Sequence, residues 1–272
     1  MDLSTHYLIN GESDCGLSPL DRGFAYGDGV FRTLKVSQGL PDNWNLHYQK
    51  LEHDCGLLEI SCPSSELLLS DIERLFTPEE EAIAKIVITR GIGPRGYMMP
   101  RTIVPTRIVI RENYPDYPRV NFDQGVNLHL CKLRLSHQPR LAGIKHLNRL
   151  ENVLARSEWS DSSVVDGVLL DQDDFVIECT MSNIFARLGD ILATPLLDKC
   201  GVAGVTRQRI LDNATHMGYV PEVRPLPLAQ LMQADEVIIC NSLFGAWQVR
   251  GFNNHKWPRQ DLAARIQTML QE

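Results

Sequence analysis

The 272-residue chain has no excess of positive charge: 27 Lys and Arg stand against 34 Asp and Glu, a formal net charge of -7. A nucleic-acid binder draws its affinity from clustered Lys and Arg against phosphate, so that class is disfavoured. There is no CxxC pair either. The seven cysteines, Cys15, Cys55, Cys62, Cys131, Cys179, Cys200 and Cys240, are odd in number and scattered, which suggests neither a disulfide framework nor a zinc site. No apolar run approaches the roughly 18 residues of a membrane span, and MDLSTHYLING lacks a basic region followed by an apolar one. The cytoplasm is the expected location, with no membrane partner. Repeats and low-complexity tracts are absent too. What is present, with 43% hydrophobic residues, is material for one large or two modest globular domains acting on small molecules or protein partners.

Local patterns divide the chain. Tyr7 to Ile9 followed by Asn10-Gly11 reads as a strand and tight turn, and Val30 to Val36 as a strand entered through Gly27, Asp28 and Gly29. Leu51, Cys55 and Leu58 form a helical stripe over 46–58, with His47 and Lys50 near its start. A second helix covers Ser65 to Phe76, and strands follow at Ile83 to Thr89 and Thr106 to Arg111. Tyr114-Pro115-Asp116-Tyr117-Pro118 has two prolines within four residues, a stiff extended connector. The expected division is an N-terminal domain over 1–115, a linker at about 113–118 and a C-terminal domain over 119–272. The latter begins with a strand at Val126 to Leu135. From about Asn148 the spacing of Leu147, Leu150, Val153 and Leu154 predicts an amphipathic helix. Beyond it, Gly167 to Leu170, Phe175 to Cys179, Asn183 to Arg187 and Ile191 to Thr194 read as an antiparallel meander. Glu236 to Cys240 is a buried strand, and Asp261 to Leu270 a closing helix.

Two motifs suggest chemistry that their surroundings do not support. Gly91, Gly93 and Gly96 spell GxGxxG after a strand, but Tyr97-Met98-Met99-Pro100 follows where a dinucleotide fingerprint needs a helix. A glycine-flanked loop presenting Arg90, Arg95 and Tyr97 is the better description. The acidic turn Asp171-Gln172-Asp173-Asp174 lacks the glycine and downstream glutamate of a calcium loop, and no metal is expected.

Other polar groups stand at the ends of elements. Lys145 precedes the central helix with His146 and Arg149 close by, where positive neighbours and partial burial depress an amine's pKa. Glu178 is an isolated carboxylate on an apolar strand. The loop 201–204 runs into a helix with stripe Ile210, Leu211, Ala214 and Met217, and such a loop either aims N–H groups at an anion or simply caps a surface helix. Asn241-Ser242 closes a strand as a site wall or a turn. An amine nucleophile, a buried acid and an anion cradle are the groups that pyridoxal 5'-phosphate requires.

The order GDGVF (27–31), HxxK (47–50), KHLNRLE (145–151), ExxxSN (178–183), GVxGVTR (201–207) and CNS (240–242) resembles the fold-type IV pyridoxal-phosphate enzymes. That group includes branched-chain and D-amino-acid aminotransferases and a lyase acting on 4-amino-4-deoxychorismate, and LAGIKHLNRLENVLAR and TRGxGxRGY are more similar to the lyase. The resemblance implies an α+β fold of two domains: a smaller N-terminal α/β domain and a larger C-terminal domain of antiparallel strands, with the cofactor at their interface. It implies that Lys145 is the Schiff-base lysine and general acid–base, and that Glu178 partners the pyridine nitrogen. It assigns Ser182 and Asn183 to the cofactor site, and Gly204, Val205 and Thr206 with Asn241 or Ser242 to the phosphate. The family usually has arginine at Lys50, a cation for phosphate without a bidentate fork. Arg32 stands where many relatives carry glutamate, and no role is assigned to it. The implied reaction converts 4-amino-4-deoxychorismate to 4-aminobenzoate and pyruvate on the route to folate, with Arg95, Tyr97 and then Arg90 as candidates for the substrate carboxylates. A homodimer is implied. The competing expectation is transamination of D- or branched-chain amino acids.

Overall fold

Along Gly29–Ser37 every second side chain, Val30, Arg32, Leu34 and Val36, is buried, the period-two pattern of a strand with one face on a core. The computed structural model describes residues 6–13, 15–79 and 81–271. In it the chain forms two compact units, one of residues up to Pro115 together with Lys145–Asn148, the other of Asp116–Ile144 and Arg149 onward.

The first unit runs β1 (Tyr7–Ile9), α1 (Arg22–Tyr26), β2 (Gly29–Ser37), β3 (Leu40–Pro41), α2 (Trp44–Leu57), α3 (Ser65–Leu75), β4 (Ala82–Thr89) and β5 (Thr106–Asn113). Its sheet has the order β1-β5-β4-β2-β3 and every pair is antiparallel, in keeping with the α+β fold expected. Ser64 caps α3 by accepting from Leu67 N–H, and α2 turns His47, Leu51, Asp54 and Cys55 inward. Full burial of a residue such as Leu34 or Leu51 contributes about 1.5–3 kcal/mol. No helix follows the GxGxxG stretch.

The second unit holds α4 (Arg119–Asp123), β6 (Val126–Leu135), α5 (Leu150–Arg156), β7 (Val164–Asp171), β8 (Phe175–Cys179), β9 (Asn183–Leu188), β10 (Ile191–Pro195), α6 (Val205–Asn213), β11 (Val220–Arg224), β12 (Leu226–Pro227), α7 (Leu228–Met232), β13 (Glu236–Asn241), β14 (Gly245–Phe252), β15 (His255–Lys256) and α8 (Leu262–Gln271). Its sheet follows β11-β10-β9-β13-β14-β6-β7-β8-β12. The expected meander therefore breaks after β8. The free edge of β8 is taken by β12, with Leu226 opposite Val176, and a tight turn at Thr180–Ser182 sends the chain to pair β9 with β13. The sheet is also mixed: β6 runs parallel to both β7 and β14, and β10 parallel to β11.

The central helix departs from expectation. It begins only at Leu150, because Lys145–Asn148 is spent on the first unit: Phe31 N–H donates to the Lys145 carbonyl at 2.9 Å, and Leu147 N–H to the Gly29 carbonyl at 3.0 Å. The apolar stripe is not core either. Leu150, Val153 and Leu154 are 68%, 62% and 51% exposed, while Ala155 is buried. No described helix is long and apolar enough to cross a membrane.

Candidate active site

In the first unit the geometry converges on Lys145. Besides its carbonyl bond to β2, its N–H donates to Asp54 Oδ2 at 3.1 Å, and its Nζ lies 4.6 Å from the centre of the Phe31 ring. Asn148 Nδ2 donates to the Gly27 carbonyl at 3.2 Å. Gly27 has φ +67, and a Cβ there would lie 2.4 Å from Asn148 Oδ1, so only glycine fits this junction of the GDG and KHLN motifs.

Asp54 is the group that sequence reasoning missed. It is fully buried and accepts from Arg32 Nη2, Lys50 Nζ and Lys145 N–H. Arg32 thus gains a partner: on the buried face of β2 a guanidinium needs a counter-ion, and α2 brings one. Burial pulls the pKa of Lys50 down and the charge of Arg32 adds to this, outweighing the pull of Asp54 in the other direction. The signal was present. The stripe Leu51, Asp54, Cys55 and the alternation Val30, Arg32, Leu34 place an acid and a base on two inward faces.

The three substrate candidates separate. Arg90 is 2% exposed and occupied, with Nε on Asp28 Oδ2 at 2.8 Å, Nη1 on the Glu59 carbonyl at 2.9 Å and Nη2 on the Leu58 carbonyl at 2.7 Å. It is withdrawn as a substrate ligand, since both arms of its fork are spent on the fold. Burial opposes ionisation of Asp28, but its bonds to Arg90 and Arg22 outweigh this and hold its carboxyl below the ordinary range. Arg95 and Tyr97 are exposed, and the Tyr97 ring leans on Tyr26 at 5.4 Å.

In the second unit most of the remaining candidates meet around one loop. Glu178, buried on β8 beside Ile177 and Cys179, accepts from Val202 N–H at 2.7 Å. A Cβ on Gly201, whose φ is +87, would fall 2.6 Å from Ile177, so the loop can lie over the acid only as glycine. Asn183 straps the same loop: its Nδ2 donates to the Val202 carbonyl at 2.8 Å and its Oδ1 accepts from Gly204 N–H at 3.2 Å. Gly204 then caps α6 without a side-chain bond, leaving the first-turn N–H groups of Val205 and Thr206 to water or an anion. Thr206 Oγ1 and Ser242 Oγ lie 3.4 Å apart at that helix start.

The structure thereby sorts Asn241 from Ser242. Asn241 Oδ1 accepts from Leu243 N–H and Phe244 N–H at 2.9 and 3.0 Å, a turn-making role, and Ser242 is the hydroxyl beside α6. Ser182 acts indirectly, since its Oγ donates to Asp166 Oδ2 at 2.7 Å while Thr180 Oγ1 donates to Oδ1 at 2.5 Å. Burial pushes the Asp166 carboxyl up despite these bonds. This second buried acid, also missed in the sequence, anchors the turn that delivers Asn183.

A sequence profile of the amino-transferase class IV family matches residues 29–252. The chain belongs to that family. Among class IV proteins it is 36% identical over 268 residues to an aminodeoxychorismate lyase of Vibrio harveyi, covering 97% of this chain and 99% of the relative. A putative branched-chain-amino-acid aminotransferase of Methanocaldococcus jannaschii is 30% identical, covering 84% of this chain and 80% of the relative. The crystal structure of 4-amino-4-deoxychorismate lyase from Pseudomonas aeruginosa superposes with a TM-score of 0.92 at 41% identity, covering 97% of this chain and 98% of that one. This class IV chain thus has the mixed helix-and-sheet fold expected from its motifs.

Proposed function

We propose that the chain is a pyridoxal-phosphate lyase converting 4-amino-4-deoxychorismate to 4-aminobenzoate and pyruvate. The observation that carries the reading is the single loop 201–206, which holds a buried carboxylate at one end and an uncapped helix start at the other. The residue types suit the cofactor: Lys145 would take its aldehyde, Glu178 would face its ring nitrogen, and the Val205 and Thr206 N–H groups with the hydroxyls of Thr206 and Ser242 would hold its phosphate. Gly204 and Asn183 shape that start, Ser182 supports Asn183 through Asp166, and Asn241 holds the turn carrying Ser242. Lys50, which the resemblance assigns to the phosphate, has its Nζ on Asp54.

When bound, pyridoxal phosphate supplies an aldehyde for the substrate amine and a ring that takes up negative charge. Glu178 would keep a proton on the ring nitrogen. Lys145 Nζ, once free, would take the proton from C4 of the substrate as the C–O bond to the enolpyruvyl group breaks, and a proton returned to the methylene carbon of the departing enolpyruvate would give pyruvate. One positioned amine in this role is worth roughly two to four powers of ten in rate. Arg95 and Tyr97 are our candidates for the two substrate carboxylates.

End-to-end similarity to lyase relatives favours this reaction over transamination, which has to park nitrogen on the cofactor. Purified protein incubated with 4-amino-4-deoxychorismate is expected to release 4-aminobenzoate and pyruvate in equal amounts. Release of glutamate from 2-oxoglutarate and a D- or branched-chain amino acid, with no 4-aminobenzoate, overturns the lyase reading in favour of an aminotransferase.

The same reading places the enzyme in the cytoplasm, which suits its free thiols, and makes it a homodimer. Leu150, Val153 and Leu154, neighbours on the outer side of α5 and all more than half exposed, are the apolar surface that a second copy covers. Light scattering is expected to give a dimer for the native chain and a monomer for Leu150→Lys/Leu154→Lys. A native monomer, or a doubly charged variant that still dimerises, sinks the assignment.

A further inference from the structure

Lys145 lies outside helix and strand, so both of its main-chain polar groups need partners from elsewhere. The carbonyl takes Phe31 N–H. The N–H donates instead to a side chain, that of Asp54.

Asp54 is costly to keep in this position. It is 0% exposed, it sits in the last turn of α2, where the helix dipole disfavours an anion, and its two cations are themselves withdrawn from water. Such a buried cluster adds little net stability over apolar residues of similar volume, and Arg32 Nε lies buried without a hydrogen-bond partner. Stability alone does not account for it.

We propose that Asp54 is a positioning residue for Lys145: its carboxylate, paired with Arg32 and Lys50, fixes the main chain from which the reactive amine projects. This rests on the reading of Lys145 as the cofactor's amine. Two elements set the lysine: β2 through Phe31, whose N–H and ring meet the Lys145 carbonyl and Nζ, and α2 through Asp54. The anchor is on the same residue as the amine, so a shift of the carboxylate passes straight to Nζ. The cluster also sets the local potential, with two positive charges for one negative. Around Lys145 in this unit stand Arg32 from β2, Lys50, Asp54 and His53, its Nδ1 3.6 Å from Asp54 Oδ1, from α2, Lys85 from β4, whose Nζ is 5.7 Å from the same Phe31 ring, and His146 next in the chain.

The test uses the cofactor-loaded full chain as native protein, Asp54→Asn, Arg32→Gln and the double variant. The readouts are kcat, KM and the pH midpoint of the visible band that borohydride fixes on Lys145. Asp54→Asn is expected to lower kcat about 10- to 100-fold with KM little changed. It should also move the midpoint down by about one pH unit, because Arg32 and Lys50 lose their anion. Arg32→Gln moves the midpoint up, and the double variant, with the native net charge, brings it back while kcat stays low. Midpoints that do not move, or that move the same way in both single variants, make Asp54 merely structural and overturn the proposal. Should a single variant fail to fold, the double variant keeps the native net charge of the cluster, and a native kcat there overturns the proposal. Native protein whose Lys145 escapes borohydride labelling defeats the cofactor reading itself, whereas a labelled Lys145 with unmoved midpoints defeats only the role of Asp54.

Discussion

Lys145→Met lowers turnover of 4-amino-4-deoxychorismate by about four powers of ten and leaves the fold intact. On the proposed reading the size follows from removing the amine assigned to hold the cofactor and to move the C4 proton, at the upper end of what one positioned base supplies. The fold is spared because the bonds tying this residue to Asp54 and Phe31 are made by its main chain, which methionine keeps. The side chain is only half-buried, and its loss forfeits a cation–π contact with Phe31 worth about 0.5–1 kcal/mol. Steady-state kinetics beside thermal melting checks both halves. A variant within tenfold of native turnover removes Lys145 from the chemistry.

Glu178→Gln is expected to cost about 10² to 10³ in kcat with little loss of stability. The amide oxygen of glutamine can still accept from Val202 N–H, so the loop 201–204 stays in place, but a neutral amide cannot hold a positive ring nitrogen. Glu178→Ala separates the two effects. It leaves Val202 N–H buried without an acceptor, at a cost of about 1–3 kcal/mol, in addition to the same catalytic loss. Equal turnover in the native and glutamine proteins would show that the carboxylate serves only the loop.

Much of this was legible in the chain. Lys145, Glu178 and the 201–206 loop could be named because each breaks a local pattern: an amine ahead of a helix, an acid inside an apolar strand, glycines before a helix start. At Leu150, Val153 and Leu154 the pattern gave the helix but not its surroundings. Periodicity reports that one face of a helix is apolar and says nothing of what covers it. It also left Arg90 as a ligand candidate, since its role depends on carbonyls of Leu58 and Glu59 about thirty residues away.

Side-chain periods of two and 3.6 are local, so the order of residues alone determined which faces of β2 and α2 turn inward and which motifs the chain carries. Which groups then meet is a matter of contacts across long stretches of chain. Asp54 reaches the N–H of Lys145 over 91 residues, and Asp166 reaches Ser182 over 16. Only the folded molecule decided those meetings, because a buried charge must be satisfied by whatever partner the packing of distant elements brings to it.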